Sequence, residues 1–147
     1  MTACARAFYS GENIQVTNSV DEKVKILLVD DEELVRRTAA TTLVHRGYTI
    51  LEAGDGQEAI DLFQHNSSQI ALVILDLSMP VMSGEECLSR LKSIKPDVPV
   101  LLSSGFSETE AARRFQSAGV ASYLQKPYTA QHLTELVKAA LSDRGST

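Results

Sequence analysis

The chain has 147 residues, a length that suits one domain with a sizeable hydrophobic core. Apolar residues make up 44% and charged residues 22%, which is ordinary for a globular protein and excludes a disordered or collagen-like chain. The formal net charge is −5, with lysine and arginine scattered along the sequence, so direct binding to nucleic acid is not expected.

Targeting and redox signals are few. No apolar run approaches the roughly 18–20 residues that span a bilayer, and the N-terminus lacks the apolar stretch of a secretory signal. The two cysteines, Cys4 and Cys87, are too few for a disulfide framework and favour a reducing compartment. We therefore expect a cytoplasmic protein that is not inserted in a membrane.

Strand and helix patterns begin at Lys25. Residues 1–24 have no helical or strand period and are interpreted as a tail, a linker or a cloning remnant. Residues 25–143 form the predicted domain, and residues 144–147 a C-terminal tail. Short apolar runs alternate there with segments of helical spacing; the predicted strands are residues 26–29, 48–53, 71–75, 98–102 and 120–124. Three of these runs are apolar on both sides of the pleat, which is typical of parallel strands covered by helices on both faces.

Five helices are expected between and after these strands. Three of them begin with a capping box, in which the first side chain accepts a backbone N–H and the acid three residues later reaches back: Asp55 with Glu58, Ser83 with Glu86, and Ser107 with Glu110. Gly47 and Gly119 stand where a left-handed residue would end the preceding helix. Two helices show clear inward faces, namely Gly84, Cys87, Leu88 and Leu91, and then Leu133, Leu136, Val137, Ala140 and Leu141. The alternation predicts right-handed crossovers and one parallel sheet covered on both faces.

Polar residues follow four of the strands at the edge where such sheets bind ligands. They are Asp30 and Asp31, Asp76, Ser103 and Ser104, and Lys126. Three carboxylates a few ångströms apart would repel by about 4 kcal/mol per pair at an effective dielectric near 20, so a cation is needed. Mg²⁺ is bound by few carboxylates when it also meets a phosphoryl group. A carboxylate can attack phosphorus, with Lys126 neutralising phosphoryl oxygens and Ser104 donating a hydrogen bond.

Each of these residues also has a structural explanation when it is taken alone. Asp30 and Asp31 could cap the first helix, and Asp76 could form a turn after its strand. Tyr123 could be an ordinary aromatic of an edge strand. The remaining candidates are interpreted as structural: His45, His65 and His132 as helix-end or surface residues, and Cys87 as a small core residue.

As a set, four motifs carry a family resemblance over residues 25–143. They are residues 29–32 (VDDE), 76–84 (DLSMPVMSG), 102–105 (LSSG) and 123–128 (YLQKPY). The sequence resembles the receiver domains of two-component response regulators, including those attached to hybrid sensor kinases. This resemblance implies a flavodoxin-like, doubly wound α/β fold with a five-stranded parallel sheet in the order 2-1-3-4-5 and five helices.

The resemblance also implies site roles. Asp76 would accept a phosphoryl group from a phosphohistidine on a sensor histidine kinase or a histidine phosphotransfer protein. Mg²⁺ would be held by Asp31, Asp76 and the backbone carbonyl of Ser78, with Asp30 helping through water. Lys126 would pair with the phosphoryl oxygens.

The resemblance further implies a switch. Ser104, favoured over Ser103 because it directly precedes Gly105, would be drawn toward the phosphate, and Tyr123 would turn into the space that Ser104 leaves. The surface around helix four, strand five and helix five would then change, in a monomer or a weak phosphorylation-dependent dimer. Ser78 and Phe106, which in the family flank the path of the hydrolytic water, carry no carboxylate or carboxamide, so slow self-dephosphorylation is expected.

Alternative functions remain at this stage. An aspartyl-phosphate phosphohydrolase would have a second acid two residues after its nucleophile, where this chain has Ser78. Nucleotide binding is disfavoured because no glycine-rich phosphate loop follows the first strand. An adaptor that is never phosphorylated is a further alternative. Because no output domain follows residue 143, we expect a stand-alone regulator or a fragment of a longer chain such as a hybrid kinase. We expect a signalling domain and not an enzyme, with Mg²⁺-dependent self-phosphorylation and self-dephosphorylation as its chemistry.

Overall fold

The computed structural model describes residues 24–79, 82–115 and 119–145. Outside this part of the chain lie residues 1–23 of the predicted tail, as well as Pro80 and Val81 of the second motif. Its elements are β1 (Lys25–Val29), α1 (Glu33–His45), β2 (Thr49–Ala53), α2 (Gly56–Asn66), β3 (Ile70–Asp76), α3 (Gly84–Ile94), β4 (Val100–Ser104), α4 (Glu108–Phe115), β5 (Ser122–Gln125) and α5 (Ala130–Gly145). The boundaries of the predicted domain, residues 25–143, stay a prediction.

The five strands form one parallel sheet in the order β2-β1-β3-β4-β5, which confirms the expected topology. In its register Val29 at the end of β1 pairs with Leu75 of β3. Asp76 at the end of β3 then pairs with Ser103 of β4. The carboxyl ends of β1, β3 and β4 therefore meet at one edge, where the topology has its switch point between β1 and β3.

Hydrophobic side chains fill both faces of the sheet. All seven residues of β3 are buried, because this strand lies at the centre between two helix layers. The first core cluster lies between the sheet and α2, α3 and α4, and includes Val29, Phe63, Leu75, Leu91, Leu102 and Phe115. The second core cluster lies between the sheet and α1 and α5, and includes Leu28, Leu43, Ile74, Leu124, Leu133 and Val137. Helices on both faces define a doubly wound domain.

Three strands begin later than the hydrophobic pattern predicts, β2 by one residue and β4 and β5 by two. β4 starts at Val100 and not at Val98, since the Val98 N–H donates to the Lys95 carbonyl in a turn and Pro99 has no N–H to donate. β5 starts at Ser122 and not at Val120. By contrast, β3 and β4 extend to Asp76 and Ser104, so these polar residues belong to the strands themselves.

The predicted helix caps are confirmed in their first half. The side chains of Asp55, Ser83 and Ser107 accept the N–H groups of Glu58, Glu86 and Glu110 at 2.8, 3.1 and 3.1 Å. The reaching-back half is wrong for two of them. Glu58 accepts the Gly54 N–H, but Glu86 and Glu110 pair with Arg90 and Arg113. Arginine three or four residues further along the same helix face competes for the carboxylate. Gly47 and Gly119 have φ values of 100° and 74°, as predicted.

Gly84 gives a direct test of the packing at the start of α3. A Cβ atom there would lie 2.6 Å from Leu77 Cα and 3.1 Å from the Asp76 carbonyl oxygen, so the backbone would have to move. We expect Gly84→Ala to lower the free energy of unfolding by about 1–3 kcal/mol in urea denaturation. Gly105→Ala is the control, because a Cβ at Gly105 meets nothing within 4 Å. Equal losses in the two variants would contradict this packing.

Candidate functional site

Three charged side chains lie on the same side of the sheet at its carboxyl edge. Asp30, Asp76 and Lys126 each stand two residues after a strand residue of the second core cluster: Leu28, Ile74 and Leu124. Because side chains alternate along a strand, this spacing directs all three toward the same face. The parallel register of β1, β3, β4 and β5 then brings them together across the edge.

The Lys126 ammonium lies between the two aspartates. Lys126 Nζ is 2.9 Å from Asp30 Oδ2 and 3.4 Å from Asp76 Oδ2, with Glu32 Oε1 also at 3.4 Å. The side chains of Asp30 and Asp76 are only 3% and 2% exposed. Burial alone would lower the pKa of Lys126, but its hydrogen bond to Asp30 and the charges of Asp76 and Asp30 outweigh burial and raise that pKa. Lys126 therefore stays cationic and supplies part of the compensating charge that the acids require.

Asp76 is the less well compensated of the two buried acids. Burial raises the pKa of Asp76 from its ordinary value of 3.8 to about 6. The Ser78 N–H, which donates to Asp76 Oδ1 at 3.1 Å, opposes this rise, the Asp30 charge adds to it, and Lys126 opposes it. Lys126 is nearer to Asp30 than to Asp76. The carboxylate at the end of β3 thus retains unsatisfied negative charge near neutral pH.

Three carboxylates could hold a metal ion. Ligand oxygens of Asp30, Asp31 and Asp76 all lie within 4.8 Å of one another, with Asp31 exposed to solvent and the other two buried. Asp30 Oδ1 accepts the Glu32 N–H at 2.9 Å, so local backbone donors orient both buried carboxylates. A compact set of oxygen ligands, open to solvent on one side, fits a hard divalent cation.

Ser104 and Tyr123 lie on the other face of the sheet. Ser104 stands two residues after Leu102, which faces the first core cluster, and Tyr123 is half-buried against the same cluster. Ser104 is buried, and its Oγ accepts the Phe106 N–H at 3.2 Å. Its backbone carbonyl accepts the Lys126 N–H at 2.7 Å, which connects Ser104 to the acidic cluster through the backbone. The Phe106 ring is 40% exposed and lies 4.8 Å from the Arg114 guanidinium.

Some of the purely structural explanations offered for single residues are confirmed and one is wrong. Asp30 does not cap α1, because Glu32 occupies the N-cap position and makes no side-chain cap hydrogen bond. His45 and His65 lie in the last turns of α1 and α2, as expected. Cys87 is fully buried, and burial raises the pKa of its thiol to about 11, so it is a core residue as predicted.

Three residues near the cluster were not predicted from the sequence. Glu32 contacts Lys126. Tyr128 packs beside the cluster, where burial and then the Asp30 charge raise its pKa to about 12. Arg36 donates from Nη1 to the Asp30 carbonyl at 2.9 Å and pairs through Nε with Glu52 at 3.0 Å. The VDDE and YLQKPY motifs contain Glu32 and Tyr128, but no sequence signal identifies Arg36, whose contacts join α1 to β2.

Fold and site together define a doubly wound α/β domain with a carboxylate–lysine cluster at its switch point. The family model described as response regulator receiver domain matches residues 26–138. The chain belongs to this family, as the sequence resemblance predicted.

Known relatives agree with this assignment. The chain is 30% identical over 130 residues to the sensor kinase CckA of Brucella abortus, matching 88% of this chain and 14% of that protein. It is 35% identical over 119 residues to the transcriptional regulatory protein PdtaR of Mycobacterium tuberculosis, matching 80% of this chain and 57% of that one. The chain therefore spans a small part of the sensor kinase and little more than half of the transcriptional regulatory protein.

Solved structures show the same fold. A response regulator receiver domain protein from Clostridium thermocellum superposes with a TM-score of 0.77 at 31% identity, covering 83% of this chain and 97% of that one. The chemotaxis protein CheY4 of Vibrio cholerae gives a TM-score of 0.74 at 28% identity, covering 81% and 99%. Among the helices described here, none is both long enough and apolar enough to cross a membrane.

The raised pKa of Asp76 predicts a pH-dependent stability of the metal-free domain. Between about pH 4 and pH 6 the folded chain binds more protons at Asp76 than the unfolded chain, so the free energy of unfolding falls as pH rises through this range. Asp76→Asn removes this penalty while Asp30 keeps Lys126 as its partner. Near neutral pH and in EDTA, we expect the variant to be more stable by about 1–2 kcal/mol, with the difference vanishing below about pH 4.

Urea denaturation at a series of pH values measures this difference. Asp61→Asn is the control, since Asp61 is an exposed carboxylate on α2 that accepts a hydrogen bond from Gln57. An Asp76→Asn variant less stable than the wild type at neutral pH would show that the buried carboxylate is well compensated.

Proposed function

We propose that this receiver domain accepts a phosphoryl group on Asp76 in a Mg²⁺-dependent reaction and changes its protein-interaction surface as a result. The observation that carries the proposal is the Asp76 carboxylate itself. It is buried, it lies within 4.8 Å of ligand atoms of two other acids, and it lies 3.4 Å from a lysine ammonium. A carboxylate between a cation site and an ammonium is placed to attack phosphorus.

The proposed transfer starts from a phosphohistidine on a partner protein. An Asp76 carboxylate oxygen attacks the phosphorus, so a P–O bond forms to Asp76 while the donor's P–N bond breaks. The electron pair of that bond leaves with the imidazole nitrogen, which takes a proton from water. Lys126, already within reach of Asp76 Oδ2, would pair with the oxygens of the phosphoryl group.

Asp31 and Asp76, with the backbone carbonyl of Ser78, would hold Mg²⁺, and Asp30 would contribute through water. The ion, when bound, would neutralise charge on the phosphoryl oxygens. Asp30 and Asp31 supply oxygen ligands next to the phosphoacceptor, and the Ser78 N–H orients the Asp76 carboxylate. This carboxylate and carbonyl set matches the ligand preference of Mg²⁺.

The switch would pass through Ser104. The added group carries about −1.5 to −2 charges and three acceptor oxygens, for which the Ser104 hydroxyl is a donor. Its Oγ now accepts the Phe106 N–H, so movement toward the phosphoryl group breaks that hydrogen bond. Tyr123, half-buried on the same sheet face, would turn into the space that Ser104 leaves. The surface of α4, β5 and α5 would change as a consequence.

The proposed donor is a sensor histidine kinase or a histidine phosphotransfer protein, and the domain acts as a monomer or a weak phosphorylation-dependent dimer. The sensor kinase among the relatives is consistent with an origin in a hybrid kinase, and the transcriptional regulator with an origin in a response regulator. A phosphohydrolase is disfavoured, because Ser78 occupies the place where such an enzyme carries its general acid.

Incubation with a small-molecule acyl phosphate and Mg²⁺ tests the proposal. Intact mass should increase by one phosphoryl group in the wild type, and EDTA should prevent this addition because the acids then lack a compensating cation. Asp76→Asn should abolish it, whereas Asp97→Asn, which changes an exposed carboxylate before β4, should leave it unchanged. A phosphoryl group that still appears in Asp76→Asn would overturn the assignment, and one that forms equally in EDTA would overturn the Mg²⁺ requirement.

Self-dephosphorylation should be slow. The exposed side chain of Ser78 has a hydroxyl only, and Phe106 presents an apolar ring stacked with Arg114, so neither can orient water as a carboxylate or carboxamide could. After removal of the phosphodonor, the wild type should lose its phosphoryl group over hours, and Ser78→Asn should speed this loss several-fold.

The same intact-mass assay, sampled over time, measures the loss. Ser89→Asn is the matched control, because it makes the same exchange at an exposed serine of α3. Loss within minutes from the wild type, or no difference between Ser78→Asn and Ser89→Asn, would contradict this account of the hydrolytic water.

A further inference from the structure

We propose that Arg36 is a positioning residue for the metal site. It holds the peptide group that joins Asp30 to Asp31, and so sets the direction in which Asp31 presents its carboxylate to a divalent cation. The inference rests on the proposed function, since it assumes that Asp30, Asp31 and Asp76 bind Mg²⁺. It extends that function to a residue of opposite charge outside the acidic cluster.

The Arg36 side chain leaves α1 and contacts two other parts of the chain. Its Nη1 donates to the backbone carbonyl of Asp30 at 2.9 Å, and its Nε lies 3.0 Å from Glu52 Oε1 on β2. The side chain is only 16% exposed. A guanidinium held by two acceptors on different elements keeps a fixed orientation, unlike an arginine in a surface ion pair.

The contact acts on Asp31 through the peptide bond. The carbonyl carbon that bears the accepting oxygen is bonded to the nitrogen of Asp31, and the planar peptide unit includes the Asp31 Cα. Rotation of the carbonyl therefore moves the start of the Asp31 side chain. The rest of Asp30 is held separately, because its N–H donates to the Ala53 carbonyl at 3.1 Å and its Oδ1 accepts from Glu32. Arg36 therefore fixes the Asp30 carbonyl, which belongs to the peptide group shared with Asp31.

The proposal predicts an effect opposite in sign to that of simple electrostatics. Arg36 is a positive charge near a cation site, so its removal would strengthen cation binding if charge alone mattered. If Arg36 holds the Asp30–Asp31 peptide, its removal weakens binding, because Asp31 no longer points consistently toward the other acids. Groups that orient metal ligands typically change metal affinity by about 10–100-fold.

Mg²⁺ titration of the full chain, followed by the backbone amide resonances of Asp31 and Ser78 at constant ionic strength, measures this effect. We expect Arg36→Gln to raise the Mg²⁺ dissociation constant about ten-fold. Arg37→Gln is the matched control, as it removes the same charge from the next residue, whose exposed side chain pairs with Glu33. Its dissociation constant should stay within about two-fold of the wild type, since exposed charges are screened.

Two further variants separate positioning from general loss of stability. Ile70→Val trims a buried side chain at the opposite end of β3, and should lower the melting temperature without changing Mg²⁺ affinity. Arg36→Lys keeps the charge but offers one nitrogen for two acceptors, and should weaken Mg²⁺ binding by an intermediate factor. If the amide spectrum of Arg36→Gln shows loss of the fold, Arg36→Lys takes its place. Mg²⁺ binding by Arg36→Lys that is as tight as in the wild type, or tighter, then overturns the inference.

The inference is overturned if Arg36→Gln binds Mg²⁺ as tightly as the wild type or more tightly, or if Arg37→Gln weakens binding equally. Failure of the proposed function gives a different result. In that case the wild type itself shows no Mg²⁺-dependent shift at Asp31 or Ser78, before any variant is compared.

Discussion

Two buried carboxylates, Asp30 and Asp76, lie side by side because parallel strands end at the same edge of the sheet, and the rest of the site depends on this placement. The β1–β3 register pairs Val29 with Leu75, so the residues that follow them are neighbours on one face. Two such charges about 4 Å apart repel by roughly 4 kcal/mol at an effective dielectric near 20. Lys126, placed at the end of β5, offsets this repulsion through contacts of 2.9 and 3.4 Å.

A single ammonium is insufficient for three carboxylates, and this imbalance has chemical consequences. Lys126 lies nearer to Asp30, and burial leaves Asp76 with a pKa raised to about 6. Such a site favours an added cation, and the cation in turn would favour an incoming phosphoryl group. In the proposed function, the fold therefore holds the three acids close together, and the bound cation and the phosphoryl group on Asp76 stabilise this arrangement.

The sequence predicted most of the fold and the grouping of Asp30, Asp31, Asp76 and Lys126 at one edge of the sheet, but not all the contacts that hold this group in place. Both faces of β3 are apolar and buried, and its sequence pattern correctly identified a parallel strand covered by helices on both faces. Asp76 and Lys126 were found because they follow strands whose ends must meet, while the strand order came from the family resemblance. A metal ion was expected to compensate the charge of the three acids, and in the structure Lys126 provides part of this compensation. Arg36 was missed because its contacts depend on side-chain reach between elements.

The central claim is that Asp76 is the carboxylate at which a cation and a phosphoryl group meet. A crystal structure of the chain grown with Mg²⁺ and beryllium fluoride, which mimics a phosphoryl group, tests it most directly. The account predicts a beryllium atom bonded to an Asp76 carboxylate oxygen, a magnesium ion contacting Asp31 and Asp76, and the Lys126 ammonium against a fluoride. Beryllium fluoride bound elsewhere, or a magnesium ion away from these acids, would contradict it.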